Sequence, residues 1–198
     1  MTSFLAATAL SFAVIFVAEL GDKSQLMALT FATRFRAVPV LLGIAAATVV
    51  THAFSVGVGY LLGAAIPTFW ISVVAAVAFV GFGFWTLRGD ALSEDEEKKG
   101  DATARSAFLA VAIAFFLAEL GDKTMLATIT LATQYPGGGG VTGVWLGSTI
   151  GMVAADALAI ILGRVLGRRM PEKVIRIGAA VLFFAFGVWL TAEAFLAA

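Results

Sequence analysis

The sequence predicts an all-α membrane protein with six transmembrane helices, arranged as two inverted three-helix repeats. Three observations predict it. The 198 residues are 61% hydrophobic and 13% charged, whereas soluble domains are about half apolar and about a quarter charged. Six apolar stretches reach the roughly 20 residues that cross about 30 Å of hydrocarbon. A block at 16–24 returns at 116–124.

The spans follow in order. Residues 3–33 form the first, interrupted by Glu19, Asp22 and Lys23, and residues 38–66 the second, with His52 near its middle. Residues 68–87 carry no charge. Residues 106–133 repeat the first pattern with Glu119, Asp122 and Lys123. Residues 141–167 hold Asp156, and residues 174–196 complete the set. Backbone amides in lipid must be paired within the segment, so runs of this length read as helices. Gly137–Gly140, after Pro136, reads as a loop between the fourth and fifth spans. The first span lacks a basic start and runs on past its charges, so it does not read as a cleaved signal.

Three units result: a first repeat over 1–87, a charged cytoplasmic linker over 88–105 and a second repeat over 106–198. Apart from Lys23 and Lys123, the basic residues fall in the loops after the first, third and fifth spans or at the span ends beside them. Basic loops stay in the cytoplasm, so both termini are expected outside.

The repeat is detailed. Phe16-Val17-Ala18-Glu19-Leu20-Gly21-Asp22-Lys23-Ser24 matches Phe116-Leu117-Ala118-Glu119-Leu120-Gly121-Asp122-Lys123-Thr124 at an offset of 100. Past the glycine-rich segment the offset is 104, aligning Gly43 with Gly147, Gly83 with Gly187 and His52 with Asp156. Three spans per unit force the second copy to insert from the opposite side, the plan of many secondary transporters. Gly143, Gly147 and Gly151, four residues apart, predict a helix face that another backbone can approach closely.

Glu19 and Asp22 share one helix face, as do Glu119 and Asp122. A charge at bilayer centre costs at least about 2.5–3.5 kcal/mol, so four carboxylates need partners. One reading is internal salt bridges that hold two helices together. Lys23 and Lys123 can neutralise only two of the acids, which leaves a charge of −2. One divalent cation or two protons would cancel it, so metal and protons are expected to compete for the same carboxylates. Glycine permits a local helix break, and a break at Gly21 and Gly121 would free carbonyl oxygens. Ser24, Thr124 and Gln25 could add ligands, and an all-oxygen set suits hard ions. His52 and Asp156 are each a proton relay or an outer ligand; His52 could instead be packed and bonded to Thr48 or Thr51. The four tryptophans near span ends read as an interfacial belt.

The composition excludes other chemistry. No cysteine means no disulfide, thiolate zinc site or thiol nucleophile, and one histidine rules out a multi-histidine metal site. Thirteen basic residues balance thirteen acidic ones, so no nucleic-acid partner is expected. No enzyme is expected either, because no loop is large enough for a substrate domain.

The twin Glu-x-Gly-Asp-Lys-(Ser/Thr) hexads at Glu19–Ser24 and Glu119–Thr124 resemble the signature of uncharacterised protein family 0016. These are small Mn²⁺/Ca²⁺–proton exchangers of bacteria, chloroplasts and the Golgi. The resemblance covers the whole chain. It implies export of a divalent cation, Mn²⁺ or Ca²⁺, from the cytoplasm, with Glu19, Asp22, Glu119 and Asp122 binding the ion. The ion is cargo, no resident cofactor is implied, and the oligomeric state stays open. The rival on the same fold is an exporter of a cationic amino acid.

Overall fold

The computed structural model describes residues 2–65, 67–88, 107–166 and 172–196. Among them are eight helices: α1 Thr2–Glu19, α2 Lys23–Arg34, α3 Ala37–Ala65, α4 Thr68–Arg88, α5 Ala107–Glu119, α6 Lys123–Gln134, α7 Gly138–Leu166 and α8 Glu172–Leu196. The molecule is all-helical over these residues. Apart from Arg88, the charged linker lies outside them, as do Arg168 and Arg169.

The stretches read as first and fourth spans are each two helices. α1 and α2 meet at a bend of 73°. By length and apolarity, α3 and α7 can each cross a membrane, and the bent α1–α2 pair is a third candidate. Shorter apolar segments lie at residues 73–88 of α4, 107–119 of α5 and 183–196 of α8.

The glycine-rich segment differs from expectation. Gly138–Gly140 begin α7, and only Gly137 stays outside it. The Val141 N–H donates to the Gly137 carbonyl. A side chain at Gly140 would run into the Tyr135 backbone 2.9 Å away. The glycines therefore serve a close approach at the helix start.

The helices of the two halves interleave. α1 lies along α7 and α5 along α3, while α4 packs against α8 and α3 touches α7. The contacts are reciprocal. Gly147 of α7 sits on the Thr8 carbonyl of α1, and its counterpart Gly43 of α3 sits 2.8 Å from the Phe108 carbonyl of α5, measured from the position of an added Cβ. Gly83 abuts Phe184, and Gly187 abuts Val80. Matched residues also touch each other: the Thr48 hydroxyl lies 3.4 Å from the Met152 sulfur, and the rings of Phe79 and Phe183 are 6.0 Å apart. The expected stripe holds, since Gly143 and Gly151 meet the Phe4 and Phe12 carbonyls of α1.

Polarity runs opposite to that of a soluble protein. Leu5, Leu61, Val77, Phe84 and Val188 are more than half exposed. Glu19, Asp22, Glu119, Asp122, Lys123 and Asp156 are buried. An apolar exterior of this extent marks contact with a partner or membrane, and charges gathered inside are what lipid imposes on ionisable groups.

Candidate functional site

Both hexads break their helix in the same way. α1 ends at Glu19 and α2 starts at Lys23; α5 ends at Glu119 and α6 starts at Lys123. Gly21 (φ 77°) and Gly121 (φ 79°) are the described residues with positive φ. An L side chain there would cost roughly 1–2 kcal/mol, which is why the motif has glycine. The Asp22 N–H turns back to the Glu19 carbonyl at 3.1 Å, and the Asp122 N–H to the Glu119 carbonyl at 3.2 Å. Each of those two carbonyls accepts one bond across the turn and keeps a second lone pair.

The residues after each break fix the glutamate before it. The Ser24 hydroxyl donates to Glu19 Oε1, and the Thr124 hydroxyl donates to Glu119 Oε2 at 2.8 Å. In both cases the bond spans the break. The other carboxylate oxygens, Glu19 Oε2 and Glu119 Oε1, are buried without a hydrogen-bond partner. A buried unpaired acceptor costs about 1–3 kcal/mol, and more when charged. Each glutamate thus has one oxygen held and one to offer.

The aspartates behave differently. Asp22 and Asp122 occupy the N-cap positions of α2 and α6, but neither side chain caps its helix. Such a cap is worth about 1 kcal/mol. Their carboxylates instead meet the lysine of the other hexad. Lys123 Nζ lies 2.8 Å from Asp22 Oδ1, with side chains 3% and 0% exposed. Lys23 Nζ lies 3.8 Å from Asp122 Oδ1, with side chains 23% and 2% exposed. Each lysine is also the first residue of its helix, where the macrodipole disfavours a cation by about 0.3–1 kcal/mol. Salt bridges are therefore present, as one sequence reading allowed, but they cross between the halves. A sequence signal for this exists: neighbours i and i+1 do not face each other on a helix, so each lysine needs a partner other than the aspartate beside it.

Gln25, proposed as a ligand, caps the first break. Its Oε1 accepts the Gly21 N–H at 2.8 Å, and its Nε2 reaches the Ala155 carbonyl of α7 at 3.5 Å. At the second break the sulfur of Met125 accepts the Gly121 N–H at 3.2 Å. Sequence reasoning missed this shared capping role and the part of Ala155. Asp156, beside Ala155, is within electrostatic reach of Glu19 and Asp22, and neither of its oxygens has a hydrogen-bond partner. His52 is buried too, and neither ring nitrogen is bonded. The alternative of a bond from His52 to Thr48 or Thr51 is not formed, and both hydroxyls donate to carbonyls of their own helix, Ile44 and Ala47.

The five acids Glu19, Asp22, Glu119, Asp122 and Asp156 form one electrostatic cluster. Among the described residues, no three acidic or histidine side chains are grouped to hold a metal ion. In this state lysines hold the two aspartates.

A family model described as "Divalent cation/proton antiporter GDT1" matches residues 7–94 and 107–198. A Vibrio cholerae protein named "Putative manganese exporter" is 34% identical over 176 residues, covering 88% of this chain and 85% of that one. GDT1-like protein 5 of Arabidopsis thaliana is 27% identical over 224 residues, covering 95% and 96%. No solved structure matches the chain. With the model spanning both halves, the chain belongs to the GDT1 family of divalent cation/proton antiporters.

Proposed function

We propose that this antiporter exports Mn²⁺, or Ca²⁺, from the cytoplasm by alternating access, using six spans arranged as two inverted repeats. The observation that carries the reading is the reciprocal build of the two breaks. Each presents a buried glutamate with one oxygen held and one open, and each aspartate is shared with the other half. The reciprocal glycine and phenylalanine contacts support the repeat plan, as does the odd number of spans per unit. The name of the Vibrio relative favours Mn²⁺.

On this reading Glu19, Asp22, Glu119 and Asp122 bind the ion. Ser24 and Thr124 orient the glutamates or join them as ligands. Gln25 and the turns at Gly21 and Gly121 shape the breaks, and Asp156 supports the first. His52 is a relay or an outer group. Oxygen donors suit a hard divalent ion. From the cytoplasm the ionised carboxylates take the ion; outside, protons displace it and the protonated site returns. Exporting two charges against an interior-negative potential costs about 4.6 kcal/mol per 100 mV, and returning two protons cancels that cost. The pH gradient then drives export. Basic loops place the linker in the cytoplasm and both termini outside, in a bacterial inner membrane.

The test is uptake of Mn²⁺, Ca²⁺ and Mg²⁺ into proteoliposomes at two pH gradients. Uptake should rise with the gradient, fall as the ion-loading side is acidified, and carry no net current. Sustained current would contradict two-for-one exchange. Normal transport by both Glu19→Gln and Asp122→Asn would overturn the site assignment.

A further inference from the structure

We propose that Lys23 and Lys123 are tethered counter-cations, each holding the aspartate of the opposite half until a divalent ion displaces it, and that they set the valence selectivity of the site. This rests on the functional reading above. Both partners give up a local preference to make the pairs. The aspartates sit at N-caps without capping, and the lysines stand at helix starts, where a positive charge is disfavoured. Neither sacrifice helps its own helix, and both serve a contact between halves.

The two pairs are also unequal. Lys123–Asp22 is sealed at 2.8 Å with Lys123 3% exposed, whereas Lys23–Asp122 stands at 3.8 Å with Lys23 23% exposed. The hexads themselves differ only in Ser24 and Thr124, while the groups around them, Gln25 against Met125 and Asp156 against His52, are not matched. A partly exposed pair is weak, whereas breaking a buried one leaves an uncompensated charge. An arriving ion therefore takes Asp122 from Lys23 first, while Lys123 keeps Asp22. Exchange of the two roles gives the opposite-facing state.

Selectivity follows from charge. Every ion sheds water on entering, and a monovalent one brings no more charge than the ammonium it replaces. A divalent ion brings twice that charge to the same carboxylate. The lysines thus raise the threshold for Na⁺ and K⁺ and leave it passable for Mn²⁺ or Ca²⁺.

The test uses the full chain in proteoliposomes and compares wild type with Lys23→Gln, Lys23→Arg and Lys123→Gln. Equilibrium Mn²⁺ binding, Mn²⁺ uptake and competition by Na⁺ are read together. Lys23→Gln should bind Mn²⁺ about two- to fivefold more tightly, the size expected for a partly exposed charge pair, turn over more slowly, and become sensitive to Na⁺. Lys23→Arg should restore wild-type affinity and Na⁺ resistance. Unchanged Mn²⁺ affinity and Na⁺ resistance in Lys23→Gln overturn the proposal, as does an Arg variant that behaves like the Gln variant. Lys23 is the more exposed lysine, so its neutralisation decides the matter even if Lys123→Gln does not accumulate. Wild-type vesicles that move no divalent ion would instead sink the functional reading, and the binding competition would still be readable.

Discussion

At the first break an amide oxygen of Gln25 receives the Gly21 N–H; at the second, the sulfur of Met125 receives that of Gly121. One α-carbon framework thus carries two different surroundings. The chemistry repeated in both halves is the glutamate, its hydroxyl clamp, the glycine turn and the aspartate–lysine exchange. The chemistry that differs lies just outside, in Gln25 against Met125 and Asp156 against His52, and the two lysine pairs inside the hexads are held unequally. Shared groups serve steps that both states must perform. The differing groups make the two states unequal in energy, so they are where a resting preference is set.

The largest expected effect tests the shared part. Glu19→Gln and Glu119→Gln should each reduce Mn²⁺-driven proton movement to the background of empty vesicles, because each removes a buried carboxyl group with one unbonded oxygen. If Glu119→Gln transported normally while Glu19→Gln did not, the ion would be held by the first half alone, and the comparison would break.

Next comes the matched pair His52 and Asp156. Asp156 lies within reach of Glu19 and Asp22, so Asp156→Asn should cut transport by about 10–100-fold, the usual cost of losing a group that supports a metal site. His52→Leu removes two buried nitrogens that have no hydrogen-bond partner. Exchanging an unsatisfied polar group for an apolar one is near neutral or stabilising, so its melting temperature should hold or rise. A transport loss in His52→Leu equal to that in Asp156→Asn would assign the relay to His52.

Much of this was legible in the sequence, for specific reasons. Charge inside apolar runs is costly, so the acids at 19, 22, 119 and 122 stood out as a site. The glycines between them signalled a break, and positive φ confirms both breaks. The Gly143, Gly147 and Gly151 stripe announced a close helix contact, though not that α1 would fill it. What stayed hidden depends on which groups meet across halves. Nothing in a one-dimensional pattern showed that Gln25 would reach Ala155, or that Thr48 would meet Met152. The helix start at Gly138 was masked because four successive glycines read locally as a loop.

A smaller effect should separate two kinds of glycine. Gly147→Val puts a branched side chain against the Thr8 carbonyl of α1, and backbone cannot yield as a flexible side chain can. Overpacking of this kind costs about 1–3 kcal/mol and should lower the melting temperature. Gly121→Ala meets nothing within 4 Å, so its cost is the positive φ alone, about 1–2 kcal/mol. A Gly147→Val variant as stable as wild type would show that α1 and α7 are not locked there.

The smallest effect bears directly on the opening contrast. A thioether is a weak acceptor, whereas an amide oxygen is a full one. Met125→Gln gives the second break the cap of the first, and should stabilise the protein by about 0.5–1 kcal/mol. Gln25→Met should cost slightly more than that gain, because it also gives up the bond to the Ala155 carbonyl. In the double variant the caps are exchanged between halves, so most of the stability change should cancel, apart from the lost Ala155 contact. Transport is the sharper readout. If the caps help decide which state rests lower, Gln25→Met and Met125→Gln should shift the half-saturating Mn²⁺ concentrations on the two faces in opposite directions. Shifts in the same direction on both faces would mean that the caps only hold the turns, and that the resting preference comes from the unequal lysine pairs.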